Sequence, residues 1–134
     1  AAIVSTQGNS DTHIILRGGK EPNYDAIHID KVSEELKAAN LPTKIMVDLS
    51  HANSRKDHNA QIEVGDVVAK QISNGDNRII GVMIESHLIS GRQNVKPDHE
   101  LIYGQSITDA CLGWENTVTL IESLAKASRL RKIN

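Results

Sequence analysis

Four residues of types that bind metal ions or anions are spread along the chain: Arg17, His51, Glu85 and Asp109. The intervals between the last three are each about one strand–helix unit long, so no single loop holds them all. An imidazole with two carboxylates is a mixed nitrogen and oxygen donor set that suits Mn, Fe, Co or Zn. A guanidinium beside such a site would bind a phosphate or carboxylate through two hydrogen bonds. Together they indicate carbonyl or phosphoryl chemistry on a phosphorylated substrate.

Each of these residues also has a simpler interpretation when it is taken alone. Arg17 could end its strand in solvent or pair with a carboxylate, and a given histidine such as His51 is usually a surface residue. Glu85 could form a buried salt bridge as readily as bind a metal. Asp109 precedes a helix, where it could be an N-terminal cap. Cys111 is expected to be a small buried residue rather than a nucleophile.

Three apolar runs predict the strands that would position the four residues. They are His13–Leu16, Lys44–Leu49 and Arg78–Glu85. Arg17 and His51 follow the first two runs, Glu85 ends the third, and Asp109 comes after the next loop. Because ligands bind at the carboxyl ends of parallel strands, the four side chains are expected to meet at one rim.

Apolar residues at helical spacing predict three helices, one after each strand. Their apolar stripes are Ile29, Val32, Leu36 and Ala39; then Val64, Val68 and Ile72; then Val118, Ile121 and Ala125. Asn23 is the expected N-cap of the first helix, which Asn40 and Pro42 end. The second spans about residues 57–73, and the third begins at about Trp114. The basic end of the third suits the negative pole of a helix dipole (Arg129, Arg131 and Lys132).

The alternation of strands and helices predicts a parallel α/β fold. Two arrangements of the sheet are compatible with this pattern. One is a small open sheet with helices on its faces, and the other is part of an eight-stranded barrel, which needs about 250 residues in full. Residues 7–11 are expected to form a turn between two extended segments, Ile3–Val4 and His13–Leu16.

Composition excludes several classes of protein. The 134 residues make up one domain of 14.6 kDa, and no run reaches the ~18 apolar residues of a membrane helix. A net charge of −2 and 2% aromatic residues give no reason to expect a nucleic acid or an acidic membrane as partner. A single cysteine favours a reducing compartment, the cytoplasm. The start at Ala1, without a methionine, is typical of a piece of a larger protein.

Longer motifs resemble type I DAHP synthase, the first enzyme of the shikimate pathway. They are, in the family's order, Ile15–Gly19 with Pro22–Tyr24, Asp48–Ser54, Gly81–Ser86 and Tyr103–Glu115. The resemblance implies a (β/α)8 TIM barrel, of which residues 1–134 resemble the carboxyl-terminal portion with the last three βα units. Residues 1–11 would belong to an inserted β-hairpin before them.

The resemblance also implies roles for the four residues. His51, Glu85 and Asp109 match three of the family's four metal ligands, and Arg17 matches an arginine that binds phosphoenolpyruvate; Asp109 would also orient the second substrate. Nothing here matches the fourth ligand, a cysteine on an early strand, since Cys111 lies in a different motif. The family's Lys-Pro-Arg-Thr and Gly-Ala-Arg segments and a further substrate-binding lysine are also absent.

The implied reaction is a divalent-metal-dependent condensation of phosphoenolpyruvate with erythrose 4-phosphate. It gives 3-deoxy-D-arabino-heptulosonate 7-phosphate and phosphate in a homo-oligomeric enzyme, a dimer or tetramer, of aromatic amino acid biosynthesis. The chain alone is expected to be inactive without the missing amino-terminal part. One alternative is a non-catalytic fragment or binding module; another is a metal hydrolase, although no hydrolase motif is present.

Overall fold

Strands and helices alternate through the first part of the chain in the computed structural model, which describes residues 1–9, 11–97 and 100–131. The elements are β1 (Ile14–Leu16), α1 (Ala26–Ala38), β2 (Ile45–Asp48), α2 (Ala60–Ser73), β3 (Ile79–Met83), β4 (Ile89–Arg92), β5 (Gln105–Ser106) and α3 (Trp114–Leu130). β2 pairs with β1 on one side and β3 on the other, both in parallel. The predicted parallel α/β arrangement is therefore confirmed.

One face of this three-stranded sheet is covered by the helices. Ile45 and Val47 of β2 and Ile79 of β3 are completely buried. They belong to one apolar cluster with residues from all three helices: Ile29, Leu36, Val64, Val68, Ile72, Leu120 and Ala127. Burying a side chain of this kind contributes about 1.5–3 kcal/mol, so this face holds the sheet and the helices together.

The opposite face of the sheet is exposed at apolar residues. Met83 pairs with Asp48, on the side away from Val47, and Ile80 lies beside a register shift in the same strand. Ile80 and Met83 are 48% and 37% exposed. A small open sheet with helices on both faces would bury such residues, so their exposure argues against that arrangement.

α1 has a different N-cap from the predicted one. The side chain of Asp25 accepts a hydrogen bond from the His28 N–H (3.1 Å), which makes Asp25 the cap. Asn23 instead accepts a hydrogen bond from the Gly18 N–H (2.7 Å) and closes the loop after β1. The predicted end of α1 is confirmed, because Asn40 adopts φ 56 just beyond the helix.

α3 begins at Trp114 as predicted, but it buries a different face. Of the predicted stripe, Val118 and Ala125 are half-buried and Ile121 is 47% exposed. The buried residues are Thr117, Leu120 and Ala127. Thr117 can be buried because its hydroxyl lies 2.6 Å from that of Ser86 and donates to the Gly113 carbonyl (3.0 Å). Apolar periodicity misses a buried threonine, and the predicted phase of the helix was therefore wrong.

The segment between β3 and α3, for which no strand was predicted, contains a small sheet of its own. β4 and β5 pair in parallel, and a bridge joins Gly91 to Cys111. The segment then returns to the end of β3, where the Leu112 N–H donates to the Glu85 carbonyl (3.0 Å). The completely buried Leu112 side chain fixes this return.

The two ends of the chain carry little regular structure. Residues 1–9 contain no strand, and Ile3 and Val4 are exposed. The assignment of residues 1–11 to part of an inserted hairpin stays a prediction, and Ser10 lies outside the described residues. Of the predicted basic end, Lys132 also lies outside them. Arg131 donates to the Ile79 carbonyl (3.1 Å) and so binds the start of β3. Within the described ranges, no helix has both the length and the apolar character needed to cross a bilayer.

Candidate metal centre

The turn after β2 has an unusual backbone that presents His51. Three of its non-glycine residues have positive φ: His51 (50°), Arg55 (53°) and Lys56 (62°). A left-handed conformation costs about 1–2 kcal/mol per residue, so other contacts must hold it. The Lys56 N–H donates to the His51 carbonyl (2.9 Å), and the Ser54 N–H donates to the Ser50 carbonyl (3.2 Å).

Asn53 ties this turn to the ends of β1 and β2. Its buried amide donates to the carbonyls of Leu16 (3.1 Å) and Asp48 (2.8 Å), and its oxygen accepts from the Asn23 N–H (2.8 Å). Gly18 makes the close approach possible, since a Cβ there would lie 2.7 Å from the Cβ of Ala52. The loop that carries Arg17 is therefore packed directly against the turn that carries His51.

Gln61 holds the end of β3 in a similar way. This completely buried residue of α2 accepts from the Glu85 N–H (2.9 Å) and donates to the Glu85 carbonyl (3.0 Å). Both backbone polar groups of Glu85 are thus bound by one side chain. No role was predicted for Gln61, although its spacing from Val64 and Val68 places it on the apolar face of α2.

His51, Glu85 and Asp109 lie together at the carboxyl end of the sheet. One potential ligand atom from each lies within 4.8 Å of the other two. Nε2 of His51 and Oε1 of Glu85 are 3.6 Å apart. His51 and Glu85 are half-buried, whereas Asp109 is exposed. Asp109 follows β5 of the small sheet rather than a strand of the main one, so its position depends on the return of residues 86–112.

Two further side chains orient this cluster. The buried carboxylate of Asp48 lies 2.6 Å from Nδ1 of His51, and it also accepts from the Ser50 N–H (2.8 Å). The Ser50 hydroxyl donates to Oε2 of Glu85 (2.6 Å). One edge of the imidazole and one oxygen of Glu85 are therefore occupied, which leaves Nε2 and Oε1 to face each other.

The simpler interpretations of the two acids do not fit this geometry. In the part of the chain that the structure describes, no Lys or Arg nitrogen lies within 4.0 Å of Glu85 or Asp109. The N-cap of α3 is Gly113, so Asp109 is not a cap. Carboxylates this close repel each other, and a cation between them would turn repulsion into attraction. The donor set and its spacing fit a divalent metal such as Mn, Fe, Co or Zn.

A cavity of about 290 Å³ opens beside the three residues. It is lined by Arg17, Ser50, His51, Lys56, His58, Glu85, Asp109 and Ala110. The exposed Arg17 side chain forms no hydrogen bond or ion pair within the described residues, which leaves its guanidinium available to a ligand. Lys56 adds a second positive charge that the sequence analysis did not identify. The cavity therefore brings the candidate metal ligands together with two cationic side chains, Arg17 and Lys56.

A comparison with known families identifies the origin of this arrangement. Residues 1–122 match the model of the DAHP synthetase I family. The chain belongs to this family. Its resemblance to type I DAHP synthase is thus confirmed over nearly all of its length.

Relatives within the DAHP synthetase I family are similar over the whole chain. The Phe-sensitive phospho-2-dehydro-3-deoxyheptonate aldolase of Escherichia coli is 53% identical over 132 residues, which cover 98% of this chain and 38% of that protein. The tyrosine-inhibited enzyme of Schizosaccharomyces pombe is 53% identical over 139 residues, covering 100% and 37%. The solved phospho-2-dehydro-3-deoxyheptonate aldolase of Francisella tularensis matches with a TM-score of 0.91 at 46% identity, covering 98% and 38%. The chain therefore spans less than two-fifths of the length of these relatives.

Cys111, which lies in a motif of the DAHP synthetase I family, is a poor nucleophile in this setting. Its sulfur donates to the Asp109 carbonyl (3.5 Å), and the side chain is only partly buried, less than predicted. Burial raises the pKa of the Cys111 thiol; a hydrogen bond with Ser106 opposes this, and the charges of Glu85 and Asp109 raise the pKa further. The protonated thiol is the form that these surroundings favour.

Proposed function

We propose that this chain is the carboxyl-terminal part of a DAHP synthase. In the complete enzyme it would supply three metal ligands and a phosphoenolpyruvate-binding arginine for the condensation with erythrose 4-phosphate. The observation that carries the proposal is the meeting of His51, Glu85 and Asp109 within 4.8 Å, in a cavity that also contains Arg17. Identity of about half to phospho-2-dehydro-3-deoxyheptonate aldolases favours an enzyme over a binding module.

The metal would be held by Nε2 of His51, Oε1 of Glu85 and a carboxylate oxygen of Asp109. When bound, a divalent metal supplies a Lewis acid for polarising the aldehyde. Arg17 binds the carboxylate or phosphate of phosphoenolpyruvate through paired hydrogen bonds and so offsets its negative charge. This allows the second phosphorylated substrate to approach. Asp109, which is exposed to the cavity, accepts a hydrogen bond from an aldose hydroxyl and orients the aldehyde.

In this reaction the methylene carbon of the phosphoenolpyruvate double bond forms a bond with the aldehyde carbon of erythrose 4-phosphate. Water adds to the other carbon of that double bond, which carries the phosphate, and inorganic phosphate leaves from it. The phosphate and carboxylate groups of the substrates make cationic residues essential to the site. Lys56 lines the same cavity as Arg17 and adds to the positive charge there.

The remaining part of the site would come from the rest of a (β/α)8 barrel. The exposed sheet face with Ile80 and Met83 supports this, because in a barrel the inner faces of the strands pack on one another. The family's cysteine ligand and its other substrate-binding residues would also lie on those elements. The complete enzyme is proposed to be a homo-oligomer in the reducing cytoplasm, which suits a chain with one cysteine.

The substitution His51→Asn in the full-length protein tests this proposal. Asparagine tolerates the positive φ of His51 better than most residues, so the imidazole is removed with little strain in the turn. Product formation from phosphoenolpyruvate and erythrose 4-phosphate with Mn²⁺ is expected to fall more than about 100-fold. The thermal stability of the metal-free protein should fall only slightly, because Asp48 loses its His51 partner but keeps the hydrogen bond from the Ser50 N–H.

His13→Asn is the matched control, because His13 is exposed and lies outside the cavity. That variant should keep full activity. Normal turnover by His51→Asn, or by the wild type in excess chelator, would contradict the assignment of a metal centre. Phosphate release from erythrose 4-phosphate alone would point to a hydrolase instead.

A further inference from the structure

We propose that Asp48 is a positioning residue that keeps the proton of His51 on Nδ1 and so presents the lone pair of Nε2 to the metal. No role was predicted for Asp48 from the sequence. The inference rests on the metal site of the proposed function and deepens it, since it says how the chain prepares one of the ligands before a metal binds.

The distances around the imidazole favour one tautomer. Nδ1 of His51 lies 2.6 Å from Oδ2 of Asp48, a short hydrogen bond with a charged acceptor. An ionised carboxylate can only accept, so the proton of this bond belongs to Nδ1. A neutral imidazole carries one proton, and Nε2 therefore has a free lone pair. The 3.6 Å between Nε2 and Oε1 of Glu85 is too long for a hydrogen bond, as expected for two acceptors that face each other.

The surroundings of Asp48 also point to a role beyond the turn. Its side chain is 2% exposed, and within the described residues no Lys or Arg pairs with it. A buried carboxylate is costly unless its oxygens are bound, and those of Asp48 are bound by the Ser50 N–H and His51. The Ser50 N–H alone could be satisfied by an uncharged asparagine. Only the imidazole requires an acceptor without a proton of its own.

The backbone of Asp48 is as well fixed as its side chain. Asp48 is the last residue of the central strand β2 and is in register with Met83 of β3. Its carbonyl accepts from the amide of Asn53 (2.8 Å). The carboxylate is therefore held by the sheet, whereas His51 lies on the strained turn. The hydrogen bond that His51 donates to this rigid strand holds the ring orientation as well as the tautomer.

The substitution Asp48→Asn separates this role from a purely structural one. An asparagine has nearly the same shape, and its oxygen can still accept from the Ser50 N–H. Its amide nitrogen would donate to Nδ1 of His51, which moves the imidazole proton to Nε2 and blocks the metal-binding lone pair. We expect the metal-free fold and melting temperature to be retained and the affinity for Mn²⁺ to fall about 10- to 100-fold.

The experiment uses full-length protein with ¹⁵N-labelled histidine, free of metal and at a pH where the imidazole is neutral. The signals of His51 are identified by their absence in His51→Asn. Wild-type protein should show a protonated Nδ1 and Asp48→Asn a protonated Nε2. Titration with Mn²⁺, followed by electron paramagnetic resonance, then gives the two affinities. Asp57→Asn, the same substitution at an exposed position of the same turn, should change neither the tautomer nor the affinity.

The outcomes distinguish this inference from the proposed function. Equal Mn²⁺ affinity in wild type and Asp48→Asn, or the same tautomer in both, would overturn the role of Asp48 while leaving the metal site intact. A wild-type protein with a protonated Nδ1 that binds no Mn²⁺ would overturn the metal centre itself. Loss of the fold in Asp48→Asn, seen as a collapsed melting transition, would make Asp48 a structural residue and also overturn the inference.

Discussion

The two ends of β3 carry clusters of charged side chains that are arranged in opposite ways. Where the strand begins, Arg78 donates to Asp76 and Asp30, each at 2.7 Å. Where it ends, the carboxylates of Glu85 and Asp109 gather near His51 without a Lys or Arg partner among the described residues. With Arg131, whose charge also acts on Asp76, the first cluster has two positive and two negative charges, whereas the carboxylates of the second have no such match among the described residues.

The pKa values at the first cluster show how well its charges match. Burial alone would raise the pKa of Asp76, but hydrogen bonds from Arg78 and its positive charge outweigh burial and lower that pKa. The pKa of Arg78 is raised, chiefly by its hydrogen bonds with Asp76. A cluster whose charges cancel stabilises the fold by itself. A cluster whose charges do not cancel is a better candidate for ligand binding, and substitutions at each end test this difference.

The largest effect is expected for Glu85→Gln, in the second cluster, where β3 ends. Losing a metal ligand should weaken Mn²⁺ binding by more than about 100-fold. The free energy of unfolding of the metal-free protein should stay the same or rise, because repulsion with Asp109 is removed. Metal titration and urea denaturation of the full-length protein measure the two quantities. A clear loss of metal-free stability would mean that Glu85 is structural and that the two ends do not differ.

A smaller effect is expected for Arg17→Ala, which leaves the metal ligands in place. A hydrogen bond between a guanidinium and a charged group of the substrate contributes about 2 kcal/mol to the free energy of binding. The KM for phosphoenolpyruvate should therefore rise about 30-fold when it is lost. The KM for erythrose 4-phosphate should change much less, and Arg17→Lys should recover part of the loss. Lys20→Ala, in the same loop but outside the cavity, serves as the control. Equal changes for both substrates would count against a phosphoenolpyruvate-binding role.

Asp76→Asn, in the first cluster, where β3 begins, should change the stability of the protein but not its metal binding. The side chain of Asp76 is 11% exposed, and its ion pair with Arg78 should contribute about 2 kcal/mol to the free energy of unfolding. Urea denaturation measures this loss, while Mn²⁺ affinity should remain at the wild-type value. The exposed Asp66→Asn on α2 is the control and should leave both unchanged.

The pH dependence of that loss identifies its source. Because the pKa of Asp76 is lower in the folded than in the unfolded state, its contribution is fully present above the ordinary carboxyl pKa of about 3.9. The contribution is lost as the pH falls through the lowered folded value. The difference in stability between wild type and Asp76→Asn should therefore shrink in acid. A difference that stays constant would mean that the charge of Asp76 is not its cause.

The strands and the rim residues could be predicted because their signals are local. Apolar runs indicate β1, β2 and β3, and the polar residues that follow them must emerge at one edge of a parallel sheet. The N-cap of α1 was not predictable, because Asn23 and Asp25 are both good caps. Only the contact of Asn23 with Gly18, a tertiary interaction, decides between them.

The small sheet and the supports of the site could not be predicted for a related reason. β4 and β5 have four and two residues and no apolar alternation. Gln61 and Asn53 act through hydrogen bonds to carbonyls and N–H groups that lie far away in the sequence. A polar residue type does not reveal which strand end it will bind. The meeting of the candidate ligands could therefore be predicted from the sequence, but the groups that position them could not.

Gln61 makes the geometry of Glu85 dependent on the docking of α2. Glu85 follows β3, and its backbone N–H and carbonyl are both bound by a side chain of this helix, although the carbonyl also accepts from the Leu112 N–H. His51, in contrast, is supported by the strand that precedes it. Any displacement of α2 along the sheet would thus change the separation between the two side chains. Residues on the outer surface of that helix, far from the cavity, are consequently able to change the spacing of the candidate metal ligands.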